Sequence, residues 1–456
     1  MDVACAAPEA GTMPTACRRL AAIAAGALAL AAAAAAPALA APDPLLPDQW
    51  PLSDPVAIGA PEAWTQSHGE GVVVAVLDSG VQVDHPDIAG NLWTNPGEVA
   101  GNRRDDDGNG VVDDVHGANL FTDTGDVADD EGHGTHVAGI VAARAGNGTG
   151  GSGLAPRARV MAVKVLDSTR SGNSALLAHG IRYAVDEGAR ILNVSVNGDA
   201  TTGDLTAALR YAGDKGATVV ASAGNNSRNL DLQPSFPAAS KEPAVVSVTA
   251  ADGSGALADF ANRGLSSVDL AAPGDAILST ARGSRYEHRS GTSMAAPYVA
   301  GALALLSAAR PDLSQAALRD ALVSSATRRS VLAGLLGGGG LDVGAAMHAV
   351  LPGDMWRTSA TGSQAAAPKL RLRARGRVAA GSRATLRWSA TRAGGVRRWQ
   401  VLLDGRRVAS RGAGAAGLVR KRISRTGRHR WKVVGYGRGG ERLVAATRGF
   451  RVVKSR

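Results

Sequence analysis

The chain of 456 residues holds two cysteines, Cys5 and Cys17, both before or at the edge of an apolar N-terminal segment that should be removed. The mature chain would then have no disulfide framework, no thiol nucleophile and no cysteine-ligated zinc. Aromatic residues are scarce, at 4%, while Ala, Gly and Arg abound; that reflects composition bias rather than function. Acids nearly vanish from one region. Residues 357–456 carry 27 Lys or Arg against Asp404 and Glu441, a net +25, while residues 1–356 carry 23 against 38, a net −15. Regions so unlike in charge predict two domains with different partners. Past residue 40 no stretch is apolar enough to span a bilayer, so no integral membrane segment is expected in the mature chain.

What is present begins with a leader. Arg18 and Arg19 precede an apolar run from Leu20 to Ala36, and Ala38-Leu39-Ala40 is an A-x-A cleavage site leaving Ala41 as the new N-terminus. Residues 1–40 therefore predict a signal peptide and a secreted, extracellular protein; Met13 is an alternative start. A membrane anchor is the competing reading, weakened because the run is short and ends in Pro37 and small residues. Residues 41–65 form a Pro-rich extension. Over residues 66–350, short apolar runs (72–77, 160–165, 191–196, 218–221, 245–249) alternate with helix-like stretches (175–187, 206–215). That alternation predicts a doubly wound, mainly parallel α/β sheet with its active site at the carboxyl ends of strands. Residues 351–368 read as a linker. Residues 369–456 show period-two alternation, as in Lys369-Leu370-Arg371-Leu372-Arg373, and a hairpin signal at Asp404-Gly405, predicting a small β-sandwich-like domain.

A serine hydroxyl is a poor nucleophile unless a base takes its proton and an acid fixes that base. Three segments supply the parts. Val76-Leu77-Asp78-Ser79-Gly80 ends an apolar strand in a carboxylate. Gly132-His133-Gly134-Thr135-His136 places a histidine at a helix start, and Gly291-Thr292-Ser293-Met294 a serine at another. Pro297 falls near the start of that second helix, where a missing N–H costs little.

The order Asp78, His133, Ser293 and the motifs VLDSG, GHGTHVAG and GTSMAAPYVAG resemble the subtilisin family of serine proteases over about residues 42–350. The resemblance implies a secreted serine endopeptidase that works through an acyl-enzyme, with Ser293 as nucleophile, His133 as general base and acid, and Asp78 orienting His133. It also implies that Asn225, in Ala223-Gly224-Asn225, donates to the oxyanion beside the Ser293 N–H, a contribution of about 100- to 1000-fold. His136 reads as a packed helical residue. The substrates implied are proteins or peptides, with no organic cofactor. Ser171 and Gly172 resemble an edge that pairs with an extended substrate. Ser195, Val196 and Asn197 resemble one wall of the primary specificity pocket, and Ser235 its floor. That floor predicts an uncharged, fairly large residue before the cut, although Asn197 replaces the usual glycine and would narrow the pocket. Two other functions compete: a catalytically silent protease-fold binding protein, and a dedicated precursor-processing protease docked by its basic tail.

Structural calcium is expected at two places. Asp105, Asp107 and Asn109, in an Asp/Gly-rich insertion, resemble the first half of a calcium loop. The twelfth position is His116, so this is no EF-hand, and Asp113 or Asp114 closes the site instead. The resemblance implies a second site from Asp43, Asp87 and Asn147. Residues 41–65 leave no room for a separate inhibitory pro-domain. The basic tail predicts an anionic cell-surface polymer as partner, against a merely solvated face, and the protein is expected to be a monomer.

Overall fold

A computed structural model describes residues 42–454 apart from 55, 56, 329, 334, 335, 352, 354–368, 375, 376, 392–397, 405, 413–415 and 437–441. The leader, most of the linker and Gly405 lie outside the described residues. Ten strands build the first domain: β1 Val73–Asp78, β2 Gly117–Asn119, β3 Arg159–Lys164, β4 Ile191–Val194, β5 Thr218–Ser222, β6 Val245–Ala251, β7 Leu270–Pro273, β8 Ile277–Ala281, β9 Arg285–Arg289 and β10 Gly339–Gly340. Eight of them form one sheet in the order β10-β7-β6-β5-β4-β1-β3-β2. Every paired neighbour in it is parallel. β8 and β9 form an antiparallel hairpin.

Helices cover both faces, as a parallel sheet requires. The His133–Ala142 and Thr292–Ala309 helices pack one face with Val74, Val76, Ile191, Val220 and Val248. The Ser174–Asp186 and Gly203–Asp214 helices pack the other with Ala75, Leu77, Met161, Leu192 and Val219. The strands are buried on both sides, which is why they read as unbroken apolar runs rather than alternating ones. Against the expectation that no stretch past residue 40 is apolar enough, the Thr292–Ala309 helix is long and apolar enough to cross a membrane, but 83% of its apolar window is buried here, as in a core helix. After β1 the chain adds β2 and β3 on one side and β4 to β7 on the other. The sheet therefore changes direction at β1, and a crevice opens at the carboxyl ends of the strands around it.

The basic region forms two sheets: β11 Lys369–Ala374, β13 Arg383–Thr391 and β16 Ala416–Arg422 in one; β12 Arg377–Ala379, β14 Arg398–Leu403, β15 Arg406–Gly412, β17 Gly427–Tyr436 and β18 Arg442–Val453 in the other. Their inner faces share a core of Leu386, Trp388, Trp399, Val401, Trp431, Val433 and Phe450. This gives the chain's few aromatics a use: a small domain with little aliphatic area fills its centre with large rings. β14 and β15 pair antiparallel, and Asp404, which follows β14, has φ 52°.

Candidate active site

β1 ends at Asp78, which is fully buried. Its Oδ1 accepts from the Ser79 N–H at 2.8 Å and faces His133 Nδ1 at 2.7 Å. The His133–Ala142 helix comes this close because Gly134 has no side chain: a Cβ there would lie 2.1 Å from the Gly80 carbonyl. Asp129 fastens the start of that helix. Its Oδ1 accepts from Ser79 Oγ and the Gly132 N–H, and its Oδ2 from the Thr135 N–H and hydroxyl. Buried Lys164, at the end of β3, donates to the Ser79 carbonyl at 2.6 Å and to Asp130 at 2.8 Å. Burial alone would depress the His133 pKa, but the Asp78 carboxylate outweighs it and holds the imidazole above its ordinary value. His136, one turn on, is fully buried with Nε2 against the Glu287 carbonyl, and burial lowers it to about 4.

Ser293 sits in the first turn of the Thr292–Ala309 helix. Pro297 is the sixth residue of that helix, past the first turn, where a proline removes a hydrogen bond that would otherwise form. The carbonyl it leaves without an i+4 donor is that of Ser293, and Ser195 Oγ donates to it at 3.0 Å. In return Ser293 Oγ donates to the Ser195 carbonyl at 3.2 Å, and Asn193 Nδ2 donates to Ser195 Oγ at 2.9 Å. The expectation that Pro297 costs little for want of an acceptor is corrected: the segment after β4 takes over the missing bond.

Asn225 follows β5. Its Oδ1 accepts from the Thr292 N–H at 2.8 Å and the Thr292 hydroxyl at 3.0 Å, and that hydroxyl accepts from the Gly224 N–H at 2.9 Å. With its oxygen occupied, the amide turns its Nδ2 toward the nucleophile's turn. A Cβ on Gly291 would stand 3.3 Å from Asn225 Nδ2 and 3.7 Å from the Ser293 backbone N. Asn225 Nδ2 and the Ser293 backbone nitrogen thus both lie close to Gly291.

His133, Ser293, Asn225, Ser171, Gly172, Ser195, Val196 and Asn197 line one open cleft of about 520 Å³. Phe236 lines it too, while Ser235 lies beneath it, buried. Leu177 and Leu205 supply an apolar side, and Arg170 stands at the rim, paired with Glu131 at 3.3 Å. Thr292, Arg170, Glu131 and the two leucines escaped the sequence reading. For Thr292 the signal was its place next to Ser293; the others gave none.

The acidic insertion folds around Asp114, which is fully buried. Carboxylate oxygens of Glu98, Asp105 and Asp107 lie within 4.8 Å of one another, as do those of Asp107, Asp114 and Glu187. Asp113 turns away, accepting from the Asn102 and Arg103 N–H groups. Asn109 differs from the expected oxygen donor. Its Oδ1 accepts from the Val111 N–H, and its Nδ2 points at Asp107, Asp114 and Glu187. Such a placement follows the hydrogen-bond network, and here the amide N–H groups lie where negative charge gathers. Burial and neighbouring acids raise the Glu187 pKa, burial raises that of Glu98, and Glu98 Oε2 is buried without a partner. Crowded carboxylates, one with an orphaned oxygen, fit a divalent cation. Glu98 and Glu187 were missed by the sequence reading. Asp43, Asp87 and Asn147 also converge, through the 146–151 loop. There Asp43 accepts from the Gly146 and Asn147 N–H groups, and Asp87 from Asn147 Nδ2, the Gly151 N–H and the Tyr286 hydroxyl. These oxygens are already satisfied, so this set fits a cation less well.

A model of the Subtilase family matches residues 69–342. Thermitase of Thermoactinomyces vulgaris is 38% identical over 276 residues, which span 60% of this chain and 88% of thermitase. The major intracellular serine protease of Bacillus subtilis is 36% identical over 281 residues, spanning 60% and 81% of the two chains. Among solved structures, a protease of Pseudoalteromonas arctica superposes with a TM-score of 0.57 at 29% identity, over 68% of this chain and 100% of that one.

Proposed function

The chain belongs to the subtilase family, whose members are serine endopeptidases, and from that premise we propose that Asp78, His133, Ser293 and Asn225 form a working peptidase site. The observation that carries this is the buried His133–Asp78 pair at 2.7 Å, opening onto the cleft that also holds Ser293 and Asn225. Ser293 Oγ swings from the Ser195 carbonyl to His133 Nε2, gives up its proton there and attacks the substrate carbonyl. Asp78 keeps the Nδ1 proton in place and stabilises the imidazolium. Asn225 Nδ2 and the Ser293 N–H take the oxyanion. His133 returns its proton to the departing amine, and water repeats the sequence on the acyl-enzyme. Ser171 and Gly172 hold the substrate as an added strand.

Calcium binds at Glu98, Asp105, Asp107, Asp114 and Glu187 in this reading, with Asn109 turning its amide to offer oxygen; there the ion's charge would relieve the crowded carboxylates and stiffen the insertion. At the second set, Asn147 would have to turn likewise. Residues 1–40 direct export, a reading that rests on their sequence. The 369–456 domain holds the enzyme on an anionic cell-surface polymer. Its support is a groove of about 720 Å³ lined by Arg428, Arg430, Lys432 and Arg451, in which Asp404 is taken up by His429 at 2.6 Å.

Fluorophosphonate labelling tests the core of this reading. The wild-type protein should label and digest casein, and Ser293→Ala should do neither. An unlabelled, folded wild type would refute it in favour of a silent binding protein.

A further inference from the structure

The wall of the cleft after β4 and the floor beneath it are stitched together. Gly198 and Phe236 exchange both backbone hydrogen bonds, at 2.9 and 2.8 Å. Ser235, 2% exposed, points its hydroxyl at the Gly198 carbonyl at 3.4 Å. Into the corner they make, Asn197 extends its amide, with Nδ2 donating to Ser235 Oγ at 3.2 Å. The same nitrogen lies 2.4 Å from where a Cβ on Gly224 would stand, and Gly224, at φ 99°, is the residue before Asn225. That one nitrogen therefore both reaches Ser235 and comes up against the turn before Asn225.

On the reading that Ser293 is the nucleophile and this cleft takes the substrate, we infer that Asn197 closes the primary specificity pocket. The enzyme then prefers a small residue, Gly, Ala or Ser, immediately before the scissile bond. This reverses the large-residue preference that the small neutral floor predicts from the sequence alone. Asn197 is hydrogen-bonded to the serine from which that preference was read.

The physical case is one of displacement. A methyl or hydroxymethyl group needs none of the volume that the Asn197 amide fills. A leucine or phenylalanine side chain needs all of it, and must break the bond from Asn197 Nδ2 to Ser235 Oγ. It would then lie on a buried hydroxyl it cannot bond. The corner cannot widen instead, because the paired bonds between Gly198 and Phe236 tie wall to floor. Pocket changes of one to a few carbon atoms shift selectivity about 10- to 100-fold, and that is the size expected here. A carboxylate side chain fares no better, since Ser235 already spends its proton on the Gly198 carbonyl.

The test uses the mature enzyme, its active sites counted by fluorophosphonate titration, and peptides identical except for Ala, Ser, Leu or Phe before the cut. The wild type should favour Ala over Phe in kcat/KM by about 10- to 100-fold. Asn197→Gly should cut that ratio at least about tenfold or invert it. Ser235→Ala, which removes the acceptor that holds the amide down, should move it the same way by less. A wild type that titrates fully yet favours Phe or Leu would overturn the inference and leave the peptidase reading intact. So would an Asn197→Gly enzyme with an unchanged ratio. A folded wild type with no titratable serine would overturn both.

Discussion

Replacing Ser195 by alanine should destabilise the fold, and replacing Pro297 by alanine should recover part of the loss. Ser195 Oγ is the donor that the Ser293 carbonyl receives in place of the N–H a non-proline residue would carry at position 297. It is also the acceptor for Asn193 Nδ2, and Asn193 is fully buried. Ser195→Ala therefore strands the buried Asn193 amide and the half-buried Ser293 carbonyl, each costing up to about 1–3 kcal/mol. With alanine at 297, a backbone N–H is available to the Ser293 carbonyl, so only the Asn193 cost remains. The expected coupling between the two positions is about 1–3 kcal/mol, well above the scatter of additive pairs. The assay is urea unfolding of the four proteins of the cycle, each carrying Ser293→Ala to prevent self-digestion; that change leaves the carbonyl in place. Equal destabilisation by Ser195→Ala in both backgrounds would refute the reasoning, since it would mean that the carbonyl never depended on the serine.

Three more outcomes are expected. The imidazole must be neutral to accept a proton, and Asp78 holds its pKa up, so activity is lost as pH falls through a value above the ordinary 6.5 or so. The acid limb of kcat/KM should have its midpoint above that figure, and a midpoint at or below it would contradict the pairing. Calcium at about 100 times its Kd adds about 2.7 kcal/mol, which for a domain of this size is about 5–10 °C in Tm. Chelation should remove that gain and speed autolysis in wild type but not in an Asp114→Asn/Glu187→Gln variant; melting curves unmoved by EDTA would count against the site. The full-length protein should bind an anionic matrix and elute with salt, and Arg428→Ser/Arg430→Ser/Lys432→Ser should elute earlier. Retention that ignores salt or these changes would point to a solvated face.

The sheet was legible because its strands are buried on both faces. Residues 72–77, 160–165 and 245–249 announce themselves as apolar runs, and β1, β3 and β6 stand there. β10 could not be read: Gly339–Gly340 has no strand preference and joins the sheet only by lying against β7. The candidate catalytic residues could be picked out because each sits in a local motif whose glycines and small residues allow close approach. What escaped is what only tertiary contact creates. Glu187 belongs to a helix far along the chain from Asp107, and nothing in its surroundings marks it. Asn109 was legible as a polar turn residue, but which end of its amide faces the acids depends on Val111, Asp114 and Glu187 together. Pro297 was misjudged by its depth in the helix, since the sixth residue already lies past the first turn and its missing N–H leaves the Ser293 carbonyl without a helical donor.

The oxygen of Asn225 is held by Thr292, the residue joined by a peptide bond to Ser293, and the Gly224 N–H is held by the same threonine. The proposed anion trap and the proposed nucleophile are thereby registered to one another rather than separately to the scaffold. A breathing motion that displaces the strand ends carries both along, and the small distance between them is conserved while larger distances vary. The scaffold can therefore loosen or stiffen with temperature over a wide range before the chemistry loses alignment. Tolerance of that kind is a mechanical property, set by which parts share a foundation rather than by how rigid any one of them is.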